Sequence, residues 1–336
     1  MIIQLEPNIT DEQQATLEER LQAIKYKVTS VRTQFADYLV GVGKTDFDIR
    51  GIGNLPGIRD IHRVSDAYKL VSKKWRVDNT VIDLGDDLRI GDGSLQLMVG
   101  PCSIESEEQV ASTLAHMQEH GVRIMRGGVY KPRSSPYSFR GLGIDGLKMW
   151  YEQTRPAGVK IITEVMMTEQ IEAMYPYVDV FQVGARNSQN FNLLDALGEV
   201  DKPVLLKRGI SGTMDELLAS AEYIFSNGNE RIMLCERGIR SYETAYRNTF
   251  DINALVMLKE KTHLPVIADP SHGIGVRRFV DKIALASAIA GADGVIMEVH
   301  HQPEKAFSDG QQTLSYREAG RVYERLRKTE ALRMEW

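Results

Sequence analysis

Two patterns of apolar and polar residues follow one another along the chain. In the first, short apolar or alternating runs predict strands and longer runs with helical spacing predict helices, in the order βαββαβ. The strands are predicted at 2–5, 26–33, 38–42 and 58–64, and the helices at 11–24 and 47–51. This order is that of a ferredoxin-like sandwich, so residues 1–67 are predicted to form a small α+β domain.

The second pattern begins near residue 95, after a polar linker predicted at 68–79 and a hairpin predicted within 80–97. Eight short apolar runs recur, at 95–99, 122–125, 159–162, 178–183, 203–206, 231–234, 265–268 and 294–297. Helical patterns lie between them at 107–119, 147–154, 213–225, 245–261 and 278–290. Eight strand–helix units in about 240 residues are typical of a TIM barrel. An open doubly wound sheet is the alternative but usually has fewer strands, so an α/β fold with a (β/α)8 barrel over residues 80–336 is predicted.

Chemically active side chains follow each of the eight runs. The segments are Gly100-Pro-Cys-Ser103, Arg126-Gly-Gly-Val-Tyr-Lys-Pro-Arg133, Thr163-Glu164, Gly184-Ala-Arg-Asn187, Lys207-Arg-Gly209, Cys235-Glu-Arg-Gly238, Asp269-Pro-Ser-His272 and Glu298-Val-His300. A barrel brings the carboxyl ends of its strands to one face, where such enzymes have their active sites. Strand ends that merely meet solvent would explain one or two of these segments. All eight together predict a functional site.

The overall charge makes the cations at these strand ends conspicuous. The chain has 336 residues, with 41 Lys and Arg against 46 Asp and Glu, and a net charge of −5. This balance argues against non-specific nucleic-acid binding, which needs a broadly basic surface. Arg and Lys bind phosphate and carboxylate, so the local cluster predicts a substrate with more than one anionic group, although any single member could form an ordinary surface ion pair. The cluster consists of Arg126, Lys131, Arg133, Arg186, Lys207 and Arg237.

A second set of residues could bind a metal. Cys102, His272, Glu298 and Asp309 offer one sulfur, one nitrogen and two oxygen donors, which fits a divalent transition metal. The thiolate argues against Mg²⁺ or Ca²⁺ as the preferred ion. The residues alone leave this open, because Cys102 could be a small buried residue and because other histidines compete with His272, namely His263, His300 and His301.

Other features bear on cofactor and location. The glycine pattern at 141–146 follows no predicted strand, so no nucleotide cofactor is expected. Two cysteines are too few for a disulfide framework and indicate a reducing compartment. The first residues lack the charged and apolar segments of a signal peptide, and no apolar run has the length of a transmembrane helix. A cytoplasmic location without membrane contact is expected.

Taken together, the strand-end motifs resemble those of 3-deoxy-D-arabino-heptulosonate 7-phosphate (DAHP) synthases. Seven motifs occur in that family's order: Gly-Pro-Cys-Ser, Lys-Pro-Arg-Ser-Ser-Pro, Gly-Ala-Arg-Asn, Leu-Leu-Lys-Arg-Gly, Cys-Glu-Arg-Gly, Asp-Pro-Ser-His and Glu-Val-His. The resemblance is strongest to the shorter microbial branch and covers residues 80–320. The N-terminal unit resembles the regulatory domain that some members carry.

This resemblance implies the condensation of phosphoenolpyruvate with erythrose 4-phosphate and water, the first step of the shikimate pathway. It implies that Cys102, His272, Glu298 and Asp309 bind one divalent metal, with Mn²⁺ expected first and Fe²⁺, Co²⁺ or Zn²⁺ as alternatives. The residues implied for phosphoenolpyruvate are Arg126, Lys131, Ala185, Arg186, Lys207 and Arg237. Those implied for erythrose 4-phosphate are Pro132, Arg133 and Ser134, where relatives often have Thr at the last position.

Two residues are candidates for proton transfer in this reaction. Lys131 could protonate the nascent alkoxide or act only as an anion ligand, and Glu164 could orient the attacking water.

Two alternative functions remain. The sister synthase that uses arabinose 5-phosphate and makes an octulosonate typically has a Lys-Ala-Asn-Arg-Ser segment, whereas this chain has Lys131-Pro-Arg-Ser134. A catalytically inactive metabolite sensor is the other alternative. For the small domain we expect feedback inhibition by tyrosine or phenylalanine, with a role in assembly as the alternative. A homo-oligomer, a tetramer, is expected.

Overall fold

The computed structural model describes residues 1–44, 47–132, 135 and 137–335, and its N-terminal part is a four-stranded antiparallel sheet. The strands are β1 (Ile2–Leu5), β2 (Lys27–Arg32), β3 (Asp37–Val42) and β4 (Ile58–His62), in the sheet order β2-β3-β1-β4. The helices are α1 (Asp11–Ala23) and α2 (Arg50–Gly53). The predicted βαββαβ order is found, but the second helix is a single turn that begins later than the predicted 47–51.

The two faces of this sheet pack against different partners, because successive side chains of a strand point in opposite directions. One face, with Ile3 and Leu39, forms a core with the two helices. The other face, with Ile2, Val31 and Tyr38, belongs to the core that continues into the barrel. The small domain is therefore packed directly onto the large one.

The segment predicted as a polar linker at 68–79 is packed on the barrel instead. Trp75 makes edge-to-face contacts with Tyr38 at 5.4 Å and with His263 at 5.7 Å between ring centroids. The Glu222 carboxylate accepts hydrogen bonds from the backbone N–H groups of residues 69–71 at 2.9 to 3.1 Å. The packing depends on four buried side chains that are spaced between lysines and serines: Tyr68, Leu70, Val71 and Trp75.

A short hairpin and an eight-stranded parallel barrel follow. The hairpin pairs β5 (Ile82–Asp83) with β6 (Arg89–Ile90). The barrel strands are β7 (Gln96–Gly100), β8 (Ile124–Gly127), β9 (Lys160–Glu164), β10 (Val180–Val183), β11 (Val204–Lys207), β12 (Ile232–Glu236), β13 (Val266–Ala268) and β14 (Gly294–His300). Each strand is parallel to its neighbours in chain order, and pairing of β14 with β7 closes the barrel. The predicted TIM barrel is thus confirmed.

The hairpin closes the amino-terminal end of the barrel. Ile82, Leu88 and Ile90 are buried against the apolar residues of the barrel interior. Lys160, at the start of β9, forms an ion pair of 2.8 Å with Asp86 between the two hairpin strands. The site must therefore lie at the opposite, carboxyl end.

The helices and one short strand surround the barrel. They are α3 (Glu107–Glu119), α4 (Gly143–Thr154), α5 (Glu169–Met174), α6 (Phe191–Gly198), α7 (Met214–Ser226), α8 (Ile252–Lys261), α9 (Pro270–Ile274), α10 (Arg277–Ile289), β15 (Leu314–Ser315) and α11 (Tyr316–Met334). Within the described residues, none of the helices is long and apolar enough to cross a membrane.

The helix predicted at 245–261 begins only at Ile252. Asp251 caps it by accepting a hydrogen bond from the backbone N–H of Ala254. Before this cap, Ile239 and Thr249 pair as an isolated antiparallel bridge, so residues 240–248 form a loop. This loop follows β12 and reaches over the mouth of the barrel.

Candidate active site

The change from apolar core to charged site occurs within two residues along the barrel strands. Side chains two positions apart point the same way, so the residue that follows an interior apolar residue by two also faces the interior. The apolar interior layer includes Ile124, Ile162, Leu205, Ile267 and Ile296. Two residues further along the same strands come Arg126, Glu164, Lys207, Asp269 and Glu298, all buried. The residues predicted from the strand ends therefore converge at one mouth.

The candidate metal ligands and two of the predicted cations lie on different sides of this mouth. Cys102 follows β7, His272 follows β13 and Glu298 lies on β14, and these three strands are neighbours. Glu164, Arg186 and Lys207 lie on or after β9, β10 and β11, across the barrel. One cavity is lined by residues from both sides.

The four predicted metal ligands form one cluster. The Sγ atom of Cys102 is 3.4 Å from Oδ2 of Asp309. The Nε2 atom of His272 is 3.4 Å from Oε1 of Glu298 and 3.7 Å from Oδ2 of Asp309. Cys102, Glu298 and Asp309 also offer ligand atoms that all lie within 4.8 Å of one another. Small movements of these side chains would bring all four donors to a common ion, and the mixed S, N and O set suits a divalent transition metal.

The charges in this cluster favour a cation between the ligands. Burial raises the pKa of the Cys102 thiol to about 12, and the nearby Glu298 carboxylate adds to this effect. Burial would also raise the pKa of Asp309, but the positive charges of Arg247 and His272 outweigh it and lower that pKa to about 2. Burial opposes and the His272 charge favours ionisation of Glu298, whose pKa is lowered. Two ionised carboxylates thus lie beside a buried thiol, where a divalent cation would reduce their repulsion.

His272 is oriented by a second carboxylate. Its Nδ1 atom lies 2.8 Å from Oδ2 of Asp269, which leaves Nε2 facing the cluster. The same oxygen of Asp269 accepts a hydrogen bond of 2.6 Å from Nζ of Lys207. Asp269 therefore has the role of a carboxylate that fixes the ring of a metal-binding histidine.

The predicted cations form a positively charged wall of the cavity, which adjoins the metal-ligand cluster at Arg126 and Lys131. Arg126 donates to Oε1 of Glu298 at 3.1 Å, and both side chains are buried. Lys131 donates to the carbonyl oxygen of Cys102 at 2.9 Å and lies 3.1 Å from its Sγ. Arg237 is buried, which lowers the pKa of its guanidinium, whereas Arg186 is exposed at the rim. This wall would attract an anionic substrate.

The comparison with protein-family models identifies the family. The model of the DAHP synthetase I family matches residues 77–334. The chain belongs to the DAHP synthetase I family.

Similar proteins agree with this membership of the DAHP synthetase I family. A phospho-2-dehydro-3-deoxyheptonate aldolase from Thermotoga maritima is 42% identical over 317 residues, which are 94% of each chain. A 2-dehydro-3-deoxyphosphooctonate aldolase from Dechloromonas aromatica is 34% identical over 236 residues, covering 64% of this chain and 83% of that protein. The second match leaves out about a third of this chain.

Solved structures show the same relationship. The crystal structure of the DAHP synthase from Thermotoga maritima has a TM-score of 0.79 and 40% identity, and it covers 99% of this chain and 98% of its own. A truncated form of 3-deoxy-D-arabino-heptulosonate 7-phosphate synthase from that organism has a TM-score of 0.74 and 42% identity, and it covers 79% of this chain and 98% of its own.

The remaining predicted residues can be placed in this DAHP synthetase fold. Pro132, Ala185 and Glu164 line the cavity together with the predicted cations. Two residues expected to bind the sugar phosphate, Arg133 and Ser134, lie outside the described residues.

Sequence reasoning missed several residues of the site. Arg240 and Arg247 line the cavity from the loop after β12. Arg247 contacts Oδ1 of Asp309 at 3.3 Å. Arg247 was missed because residues 245–261 were predicted to form a helix. Its position after a barrel strand is the pattern that could have indicated a site residue. Asp269 lies in the Asp-Pro-Ser-His motif, but its contacts with His272 and Lys207 depend on the three-dimensional structure.

Proposed function

We propose that this chain condenses phosphoenolpyruvate with erythrose 4-phosphate and water, giving 3-deoxy-D-arabino-heptulosonate 7-phosphate and phosphate. One observation carries the proposal: a cluster of S, N and O donors and a set of cations share one cavity, with Arg126 and Lys131 beside the donors and Arg186 across from them. The reaction must activate an aldehyde and hold an anionic enol, and this arrangement provides for both. Membership of the DAHP synthetase I family supports this reaction.

The cationic wall would bind phosphoenolpyruvate. This substrate carries a phosphate and a carboxylate, and each needs at least one cation in a site of low dielectric. Arg126 and Lys207 are buried and already paired with Glu298 and Asp269. Arg237 and the exposed Arg186 are more available for a phosphate at the mouth. We assign phosphoenolpyruvate to these residues together with Lys131 and Ala185.

The sugar phosphate would enter beside the donor cluster. Pro132 lines the cavity next to Lys131, and Arg133 and Ser134 follow it in the chain. We propose that the aldehyde end of erythrose 4-phosphate lies near Cys102 and Asp309, which line the same cavity as Pro132.

The metal would be held by Cys102, His272, Glu298 and Asp309. When bound, it supplies Lewis acidity that polarises the aldehyde oxygen. The thiolate favours a transition metal, with Mn²⁺ as our first choice and Fe²⁺, Co²⁺ or Zn²⁺ as alternatives.

Formation of the carbon–carbon bond then requires one proton transfer that a side chain can assist. C3 of the enol attacks the aldehyde carbon, and the aldehyde oxygen gains a proton. Lys131 is our proton donor, because its Nζ lies 3.1 Å from Sγ of Cys102 and therefore next to the proposed metal.

Water completes the reaction at the other side of the cavity. It attacks C2, where positive charge develops, and the resulting phosphohemiketal releases phosphate to leave the ketone. Glu164 is our candidate for orienting this water, because it lies on β9, across the barrel from His272.

The sister synthase that uses arabinose 5-phosphate is the second candidate, since one group of relatives carries that name. Phosphate release should be measured with phosphoenolpyruvate and either sugar phosphate, with Mn²⁺ in excess. We expect kcat/KM to be about 100-fold higher with erythrose 4-phosphate. A preference for arabinose 5-phosphate would identify the sister synthase, and no turnover with either sugar would favour a metabolite sensor.

The small domain is proposed to regulate the barrel. Part of its barrel-facing sheet surface is exposed, and Val42 there is 58% accessible. We propose that tyrosine or phenylalanine inhibits the enzyme through this domain, that the chain forms a homotetramer, and that it works in the cytoplasm.

A further inference from the structure

Glu105 occupies a position between the two segments that supply Cys102 and Asp309. It follows β7 by five residues and precedes α3, and its side chain is only 9% exposed. Its Oε1 atom accepts a hydrogen bond of 2.9 Å from Oγ of Ser103. The same atom accepts another of 2.9 Å from the backbone N–H of Phe307. Ser103 is the neighbour of Cys102, and Phe307 lies two residues before Asp309.

A second contact ties the same two segments together. The hydroxyl groups of Ser103 and Ser308 are 3.2 Å apart, within hydrogen-bond distance. The thiol of Cys102 in turn reaches Asp309 at 3.4 Å. Three consecutive residues of the loop after β14 are thus each in contact with the segment after β7.

Glu105 also contacts the beginning of that loop. Oε2 of its carboxylate faces Nε2 of His300 at 3.7 Å, which is too long for a hydrogen bond. Nδ1 of His300 accepts a hydrogen bond of 2.9 Å from the backbone N–H of Gln302. One carboxylate therefore lies against both ends of the stretch 300–307.

The backbone at Asp309 needs such support. Its φ is +51°, in the left-handed region that residues other than glycine adopt infrequently, although Asp adopts it more readily than most. Thr313 donates a hydrogen bond of 2.9 Å to the Asp309 carbonyl oxygen from the far side. The Asp309 carboxylate thus points at the other ligands only while the residues on both sides of it are held.

Glu105 is suited to this task because it remains ionised. Burial would raise its pKa, but the neighbouring His300 ring, the Ser103 hydroxyl and the Phe307 N–H together lower it. Hydrogen bonds to an ionised acceptor are stronger than those between neutral groups.

We propose that Glu105 is a positioning residue that holds the loop bearing Asp309 against the segment bearing Cys102 and so completes the metal site. This inference rests on the proposed function, which assigns a metal to those two residues. Glu105 itself lies behind the ligands and is not proposed to touch the ion or the substrates.

Cobalt binding to the full chain tests the proposal apart from turnover. Co²⁺ would be titrated into the metal-free protein and into Glu105→Ala, with affinity taken from competition with a chelator and geometry from the visible spectrum. We expect Glu105→Ala to bind Co²⁺ about 10- to 100-fold more weakly, as is usual when a group that orients a ligand is lost. The thiolate-to-cobalt charge-transfer band should persist, whereas the ligand-field bands should change. At saturating Co²⁺, kcat should return to within a few-fold of the wild-type value.

Two variants sharpen this test. Glu105→Gln keeps an oxygen acceptor for Ser103 and Phe307, so it should fold and have an intermediate affinity even if Glu105→Ala does not fold. Glu107→Ala removes an exposed carboxylate in the first turn of α3 and should bind Co²⁺ as the wild type does. The inference would be overturned by wild-type affinity and spectra in Glu105→Gln and in any folded Glu105→Ala. An equal loss of Co²⁺ affinity in Glu107→Ala would also overturn it. If the wild-type protein lacks a charge-transfer band that depends on Cys102, the proposed metal site itself is wrong.

Discussion

The Glu164 carboxylate occupies the space that a side chain at Gly184 would need. A Cβ atom placed on Gly184 would overlap Oε1 of Glu164. Both residues line the cavity, from neighbouring strands of the barrel. The absence of a side chain at residue 184 thus decides where the proposed water-orienting carboxylate can lie.

The first prediction concerns this pair. Gly184→Ala should displace the carboxylate and reduce kcat by about tenfold or more, while overpacking costs about 1–3 kcal/mol of unfolding free energy. Steady-state kinetics and urea denaturation would measure the two effects.

A double variant separates them. Glu164→Ala removes the overlapping atoms, so Gly184→Ala should cost less stability in the Glu164→Ala background than alone. Activity should stay low in both Glu164→Ala proteins. Full activity of Glu164→Ala would show that this carboxylate does not orient the water.

The second prediction concerns the proton donor. Lys131→Met keeps the length of the side chain and removes the ammonium group, so turnover should fall by about 100-fold or more if Lys131 protonates the aldehyde oxygen. The assay is phosphate release at saturating metal and substrates. Turnover within about tenfold of the wild type would exclude an acid–base role. Lys148→Met, an exposed lysine on α4, is the matched control and should leave kcat unchanged.

The third prediction concerns the metal. Treatment with a chelator should abolish turnover, and Mn²⁺ should restore it in the wild type but not in Cys102→Ala. Cys235→Ala is the matched control, because Cys235 is also a buried cysteine of the barrel interior. This control should lose about 1 kcal/mol of stability and keep metal-dependent activity. Full activity after chelation, or in Cys102→Ala, contradicts the assignment of the ligands.

Whether a feature could be predicted depends on the pattern that its packing leaves in the amino-acid sequence. Barrel strands are buried on both sides, so they read as continuous apolar runs whose ends are marked by the first charged residue. For this reason Arg126, Lys207 and Glu298 could be predicted to lie toward the carboxyl ends of their strands, where the structure has them. A charged residue that directly follows such an apolar run must lie at the carboxyl end of the strand.

Two kinds of feature could not be found in this way. Trp75 and its neighbours were missed because the average polarity of residues 68–79 says nothing about which side chains turn inward. The link of Asp269 to His272 and Lys207 depends on strands that are distant in sequence. Spacing along a chain does not encode such contacts, whereas the order of strands in a barrel does.

The fourth prediction is a loss of stability in mild acid that depends on His263. This ring is fully buried, and burial lowers its pKa from 6.5 to about 3. The unfolded chain takes up the proton near pH 6.5 and the folded chain does not, so stability is complete above that pH and falls as pH decreases toward 3. At pH 5 this histidine alone would cost about 2 kcal/mol.

Urea denaturation of the metal-free protein at pH 7 and pH 5 would measure this loss. His263→Gln cannot be protonated and can still bond to Thr80 and to the carbonyl of Leu70, the two partners of the ring. The difference in unfolding free energy between the two pH values should shrink in this variant. An unchanged difference would show that His263 is not the source.

The last prediction concerns regulation by the small domain. Thr33, between β2 and β3, donates a hydrogen bond of 2.5 Å to Glu230, which also forms an ion pair with Arg76. Glu230 stands just before β12, the strand that ends next to Arg237 in the cavity. The small domain therefore contacts a residue that leads into β12, and Arg237, a proposed phosphate ligand, directly follows that strand.

Tyrosine and phenylalanine should each be tested as inhibitors of the full chain and of a chain that begins near Lys69. Because the truncated chain lacks the sheet but keeps the packed segment 70–79, we expect it to remain active and to lose the inhibition. Thr33→Val should weaken inhibition while calorimetry still detects effector binding, since it removes the contact and not the domain. Inhibition that persists after truncation would place the effector site on the barrel, and the small domain would then be an assembly module.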